Sequence, residues 1–277
     1  IKMKVDESDK MGQYWLSGSQ AFHLMKNITE SLAGRVGIIK LNSFTYSEII
    51  ENYEKEIFKP GKYKKAEYIN INDLYERIFN GGMPEFIKRE GINREVFFES
   101  YIKTYIERDI KELENIGNEL DFRKFMVAVA SRTGEQLNYS NISKEIGVSD
   151  KTIRNWISIL VNTGVIYLLE PYRSTKIKRL THMPKIIFMD TGLCAYLEGW
   201  ENARELQLNS KAGHYLETYI ISEIVKSYNS KGVRLDISYY RDKEKNEIDL
   251  IFKKNRMLYP FEIKKTSNPT KEMIKNF

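Results

Sequence analysis

"EIDLIFKKNRMLYPFEIKKT", residues 247–266, decides how this chain is read. The polar KKNR segment separates two runs rich in apolar residues, so the stretch reads as two strands joined by a turn. Strand alternation puts Glu247, Asp249 and Ile251 on one face, and Ile248, Leu250 and Phe252 on the other. In the next strand Glu262 and Lys264 share a face while Ile263 points away. Two carboxylates at neighbouring strand ends can hold a hard divalent cation such as Mg²⁺ through oxygen. A lysine beside them can orient an attacking water or stabilise developing charge. Asp249, Glu262 and Lys264 are therefore candidate catalytic residues, with Asp249 and Glu262 the candidate metal ligands. The ordinary alternative is a charged surface hairpin, whose cross-strand Glu–Lys pairs contribute less than ~1 kcal/mol. Asp109-Ile110-Lys111 repeats the acid-x-lysine spacing in a helical context, so the triplet alone does not choose between them.

Upstream, "GHYLETYIISEIVKSY" reads as an amphipathic helix that brings Glu217 as a further candidate catalytic acid, and "LDISYYRD" as a strand. "KIIFMD" reads as another strand, with Asp190 placed to cap "TGLCAYLEG". Between Glu170 and Asp190 there is no acid, whereas Arg173, Lys176, Lys178, Arg179 and Lys185 all fall inside. Residues 139–170 read as a short helix, a turn at Gly147-Val148, a second helix from Ser149 to Asn162, and a strand that starts a wing. That is helix-turn-helix grammar. Residues 72 to about 133 are expected to be helical, with Val96, Phe97, Tyr101, Tyr105 and Ile106 on one side of one helix. Near the start, "QYWLSG" and "RVGIIKL" read as strands, and "SQAFHLMKNI" and "SFTYSEIIENYEKEIF" as helices.

The 277 residues suffice for two or three domains. A net charge of +6 suits a polyanionic partner without demonstrating one. No apolar run approaches the ~20 residues of a membrane span, so no membrane partner is expected and a cytoplasmic address is the default. The single cysteine, Cys194, excludes an internal disulfide and a cysteine-cluster zinc site, and reads as a core residue. His23, His182 and His214 are scattered, and His214 reads as a helix-start or packing residue. The chain opens on Ile1 rather than methionine, which reads as a fragment of a longer protein.

A helical acid followed by Asp249 and Glu262-Ile263-Lys264 resembles the PD-(D/E)XK, or restriction-endonuclease-like, superfamily. More broadly, "YWLSGSQAF", "NGGMPEF", "YIKTYIERDI", "GVSDKTIRNWISILVNTGVIYLLEPY", "KRLTHMPKIIFMDTGLCAYL" and "YYRDKEKNEIDLIF" resemble a prokaryotic AAA-type ATPase family with a C-terminal domain of unknown function. The resemblance implies a multidomain α/β and α+β chain. Residues 1–60 are the end of an AAA-type ATPase core, 61–134 a helical linker or lid, 135–185 a winged helix-turn-helix, and 186–277 a nuclease-like domain. It implies that Ser19 or Gln20 sits near a γ-phosphate and that Arg35 is an arginine finger or sensor; the plain alternative for Arg35 is a surface arginine. There is no G-x-x-x-x-G-K-[ST] here, so ATP is expected only with a full-length protein, as is homo-oligomerisation through the ATPase domain. For the winged helix it implies DNA as partner, met by Lys151, Thr152, Arg154 and Asn155 at the second helix and by Lys176, Lys178 and Arg179 from the wing. A winged helix used for packing or assembly remains the alternative, as does a nuclease fold without activity.

Overall fold

The computed structural model describes residues 2–7, 10–16, 36–52, 57–61, 69–105, 118–172, 183–244, 246–268 and 270–274. Among them are eleven α-helices and five strands in two small antiparallel sheets. The helices are α1 (Lys2–Asp6), α2 (Tyr46–Ile49), α3 (Ile71–Asn80), α4 (Pro84–Lys88), α5 (Arg94–Tyr105), α6 (Glu119–Ala130), α7 (Tyr139–Ile146), α8 (Asp150–Asn162), α9 (Thr191–Glu198), α10 (Ala203–Leu208) and α11 (Ala212–Ser230). Strands β1 (Ile166–Leu169) and β2 (Lys185–Phe188) separate α8 from α9; β3 (Ile237–Arg241), β4 (Glu247–Lys254) and β5 (Met257–Phe261) follow α11.

The amino-terminal expectations meet several corrections. Residues 13–16 and 36–41 form no strand and are exposed. An apolar run becomes a strand only when a neighbouring strand takes its amides, and none does so among the described residues. Among the described residues of the helix expected over 43–58, only α2 is α-helical. A capping box starts it, the Glu48 amide donating to the Thr45 hydroxyl and the Thr45 amide to the Glu48 carboxylate. Glu51, at φ 53°, then turns the chain into the left-handed region. Residues 19–28, with Ser19 and Gln20, and Arg35 lie outside the described residues.

Among the described residues the helical middle forms as read, but the buried stripe of α5 is Phe98, Ile102 and Tyr105, at i, i+4 and i+7; Val96 is 64% exposed. Phe97 and Tyr101 are only partly buried, and Ile106 is not described. Phe98 packs against Tyr196 of α9, which fixes the helix one residue away from the expected rotation. The α7–α8 pair forms as expected. Gly147 takes the left-handed conformation at φ 84°, and the Ser149 hydroxyl accepts from the Thr152 amide. Ile142, Ile153, Trp156 and Leu160 pack with Phe122 and Phe125 of α6.

β2 organises the carboxy-terminal half. It pairs antiparallel with β1, Ile166 opposite Phe188 and Leu169 opposite Lys185, and all four of its residues are buried. Ile186 and Phe188 belong to the larger core with the helices, whereas Ile187 and Met189 belong to a second core with Ile221, Val225, Tyr239, Leu250 and Phe252. Alternation therefore aims Lys185, in phase with Ile187, at α11 and the second sheet. Asp190 then caps α9 through the Leu193 amide at 2.9 Å and also accepts from the Gly82 amide at 2.9 Å. Cys194 is fully buried, as read.

Candidate metal centre

Glu217 sits on the buried face of α11, one turn before Ile221 and two before Val225. Thr133 and Thr218 share a hydrogen bond at 2.9 Å, anchoring this turn beside β2. Opposite lies β4. Ser238 pairs with Ile251 and Tyr240 with Ile248, so Asp249 and Leu250 together face the single residue Tyr239. This bulge breaks the strict alternation expected along β4, and bulges re-aim side chains next to sites. β5 ends at Phe261, earlier than expected, leaving Glu262-Ile263-Lys264 just beyond the strand. The Ile263 amide donates instead to Asp249 Oδ2 at 2.8 Å.

The four sequence-derived residues converge. Lys264 Nζ is 2.5 Å from Glu262 Oε1 and 3.6 Å from Asp249 Oδ2. Glu217, Glu247 and Asp249 each offer an oxygen, all within 4.8 Å of one another. Glu262 stands outside that compact trio, linked to Asp249 through Lys264. Two residues complete the cluster. Lys185 Nζ, 3% exposed, lies 2.5 Å from Glu217 Oε1 and 2.5 Å from Glu247 Oε1, and Arg241 Nη1 is 3.3 Å from Glu247 Oε2. Lys185 reads in sequence as one more cation of a basic stretch. The signal that marks it is its phase with Ile187 in a strand apolar enough to be buried on both faces.

The electrostatics follow from burial. The carboxylates of Glu217, Glu247, Asp249 and Glu262 outnumber the cations Lys185, Arg241 and Lys264. Burial pushes the Glu217 carboxyl up to about 7 against the pull of Lys185, with the Asp249 charge adding to the rise. Burial works against the Lys185 charge too, yet the Glu217 and Glu247 carboxylates outweigh it and hold the ammonium above the usual lysine value. The Glu262 carboxyl is raised by burial, opposed by its bond to Lys264. A donor set of carboxylate oxygen alone matches hard divalent cations such as Mg²⁺ and not soft or nitrogen-seeking metals.

Around α8, Lys151, Arg154 and Asn155 are exposed. The Arg154 guanidinium lies 4.1 Å from the centroid of the Tyr139 ring, and the Thr152 hydroxyl bonds Ser149 at 2.8 Å. Lys176, Lys178 and Arg179 lie outside the described residues, as do His23 and His182. His214 Nδ1 is 3.6 Å from Glu135 Oε1, apart from the acidic cluster. No helix among the described residues is long and apolar enough to cross a membrane.

Comparison with known proteins divides the chain in three. Residues 1–50 match the family described as an AAA domain, 71–204 a domain of unknown function (DUF8612), and 212–277 another domain of unknown function (DUF4143). Lys185 thus comes from the middle match and the carboxylates from the last. Two curated relatives, described as uncharacterized proteins of Mycobacterium bovis and Mycobacterium tuberculosis, are each 24% identical over 98% of this chain. The chain spans about half of their length, 56%. No solved structure matches. The likeness to an AAA domain is confined to residues 1–50, and the acidic cluster draws on both matches to domains of unknown function.

Proposed function

We propose that the acidic cluster is a Mg²⁺-dependent phosphodiester-hydrolysing centre of the restriction-endonuclease-like kind, acting on DNA in an ATPase-associated protein. The observation that carries this reading is the convergence of Asp249, Glu262 and Lys264 with Glu217 from the preceding helix. Asp249 and Glu262 would hold the ion, and Glu217 and Glu247 set the charge beside it. Bound Mg²⁺ supplies Lewis acidity at a phosphoryl oxygen. Lys264, 45% exposed, can turn from Glu262 to orient the attacking water. Lys151, Thr152, Arg154 and Asn155, with Lys176, Lys178 and Arg179, would engage DNA through the winged-helix unit, and Mg-ATP and self-assembly would belong to the whole protein. The test is cleavage of plasmid and linear DNA with Mg²⁺ or Mn²⁺. Metal-dependent cutting that disappears in Asp249→Ala supports the centre; equal cutting by wild type and Asp249→Ala rejects it.

A second reading has its own support. Lys185 already satisfies Glu217 and Glu247 from a buried position, which suits an inert nuclease fold serving DNA binding or assembly. DNA binding without any cleavage, its salt dependence weakened by Lys151→Ala, favours that reading.

A further inference from the structure

Resting on the metal-centre reading, we propose that Lys185 is the resident cation of this site. It holds the Glu217–Glu247 side against divalent ions and leaves the Asp249–Glu262 side as the exchangeable position. The argument is an asymmetry between two lysines. Each bridges two carboxylates: Lys185 joins Glu217 to Glu247, and Lys264 joins Asp249 to Glu262. Lys264 is 45% exposed on a segment beyond the end of β5, so its ammonium exchanges into water without disturbing the core. Lys185 is 3% exposed, and its strand is held along both edges. It pairs with Leu169 of β1 and bridges to Gln136, and its neighbour Ile186 donates to the Glu135 carbonyl at 2.9 Å. The Tyr239 ring lies 5.4 Å from its ammonium, and that hydroxyl is itself tied to Gln136 and to the Met183 carbonyl. To vacate its place, Lys185 would have to carry its charge through this packing. A divalent ion thus meets a movable ammonium on one side of Asp249 and a fixed one on the other. The protein supplies as side chain the charge that a second metal ion would supply.

The test is Mn²⁺ stoichiometry on the purified chain, by calorimetry and by electron paramagnetic resonance of free Mn²⁺. Lys185→Met is expected to bind one more ion per chain than wild type, and Lys185→Arg, which keeps the charge, to match wild type. Unchanged stoichiometry and affinity in Lys185→Met overturn the proposal. If Lys185→Met is unfolded without metal, the proposal requires millimolar Mn²⁺ to restore its circular dichroism; failure to do so overturns it. Wild type binding no ion while Lys185→Met binds one would sink the hydrolytic reading and the exchangeable position with it, and leave standing only the hold of Lys185 on the Glu217–Glu247 side. Wild type binding two ions would do the reverse.

Discussion

The Ile263 amide and the Asp249 carboxylate, fourteen residues apart, meet at 2.8 Å where the β4–β5 ladder ends. A side chain here takes the place of the next backbone carbonyl, so one acid both closes the sheet and faces the cluster. The two roles separate by substitution. Asp249→Asn keeps an oxygen for the amide and is expected to retain the wild-type fold while losing divalent-ion affinity. Asp249→Leu leaves the amide unpaired and should cost about 1–3 kcal/mol in urea unfolding.

The rotation of α5 gives a sharper test of packing. Phe98→Ala should destabilise by about 3–5 kcal/mol, because a fully buried ring leaves a cavity against Tyr196. Val96→Ala, two residues away and exposed, should stay within roughly 0.5 kcal/mol. Chemical denaturation of both decides it.

Two glycines should differ in how they resist alanine. At Gly147 a Cβ meets nothing within 4 Å, so only the positive φ opposes it, for about 1–2 kcal/mol. At Gly192 a Cβ would lie 2.3 Å from the Asn80 carbonyl oxygen, and backbone must move. Gly192→Ala is expected to lower the melting temperature more.

Acid should weaken the fold partly through Glu99. Arg123 donates to both of its oxygens at 2.6 Å and Tyr196 to one at 2.8 Å, which together hold the carboxyl down at about 2. The unfolded chain titrates near the ordinary glutamate value, so this stabilisation is complete above it and is lost as pH falls towards 2. The pair is half exposed, and the contribution is under about 1 kcal/mol. Glu99→Gln should flatten stability against pH below the glutamate range by that amount.

Much of this architecture was legible in sequence because local chemistry specifies it. Gly147 and Ser149 announce a turn and a cap, Asp190 a helix start, and the alternation of "EIDLIF" a strand. The convergence on Asp249 was legible because acid and lysine spacing survives folding unchanged. The bulge opposite Tyr239 was not, since it depends on how two strands slip past each other. Lys185 escaped notice for a related reason: charge alone says surface, and only the pairing of β2 with β1 shows that this lysine is carried inward. Residues 13–16 and 36–41 carry strand-like composition, but strand formation needs a neighbour that composition cannot supply.

β2 presents Ile186 and Phe188 to one core and Ile187 and Met189 to the other. Two compartments that share a party wall cannot lose it one at a time. The helical half and the carboxylate-bearing half are therefore expected to melt together, and a blow to either should be felt in both.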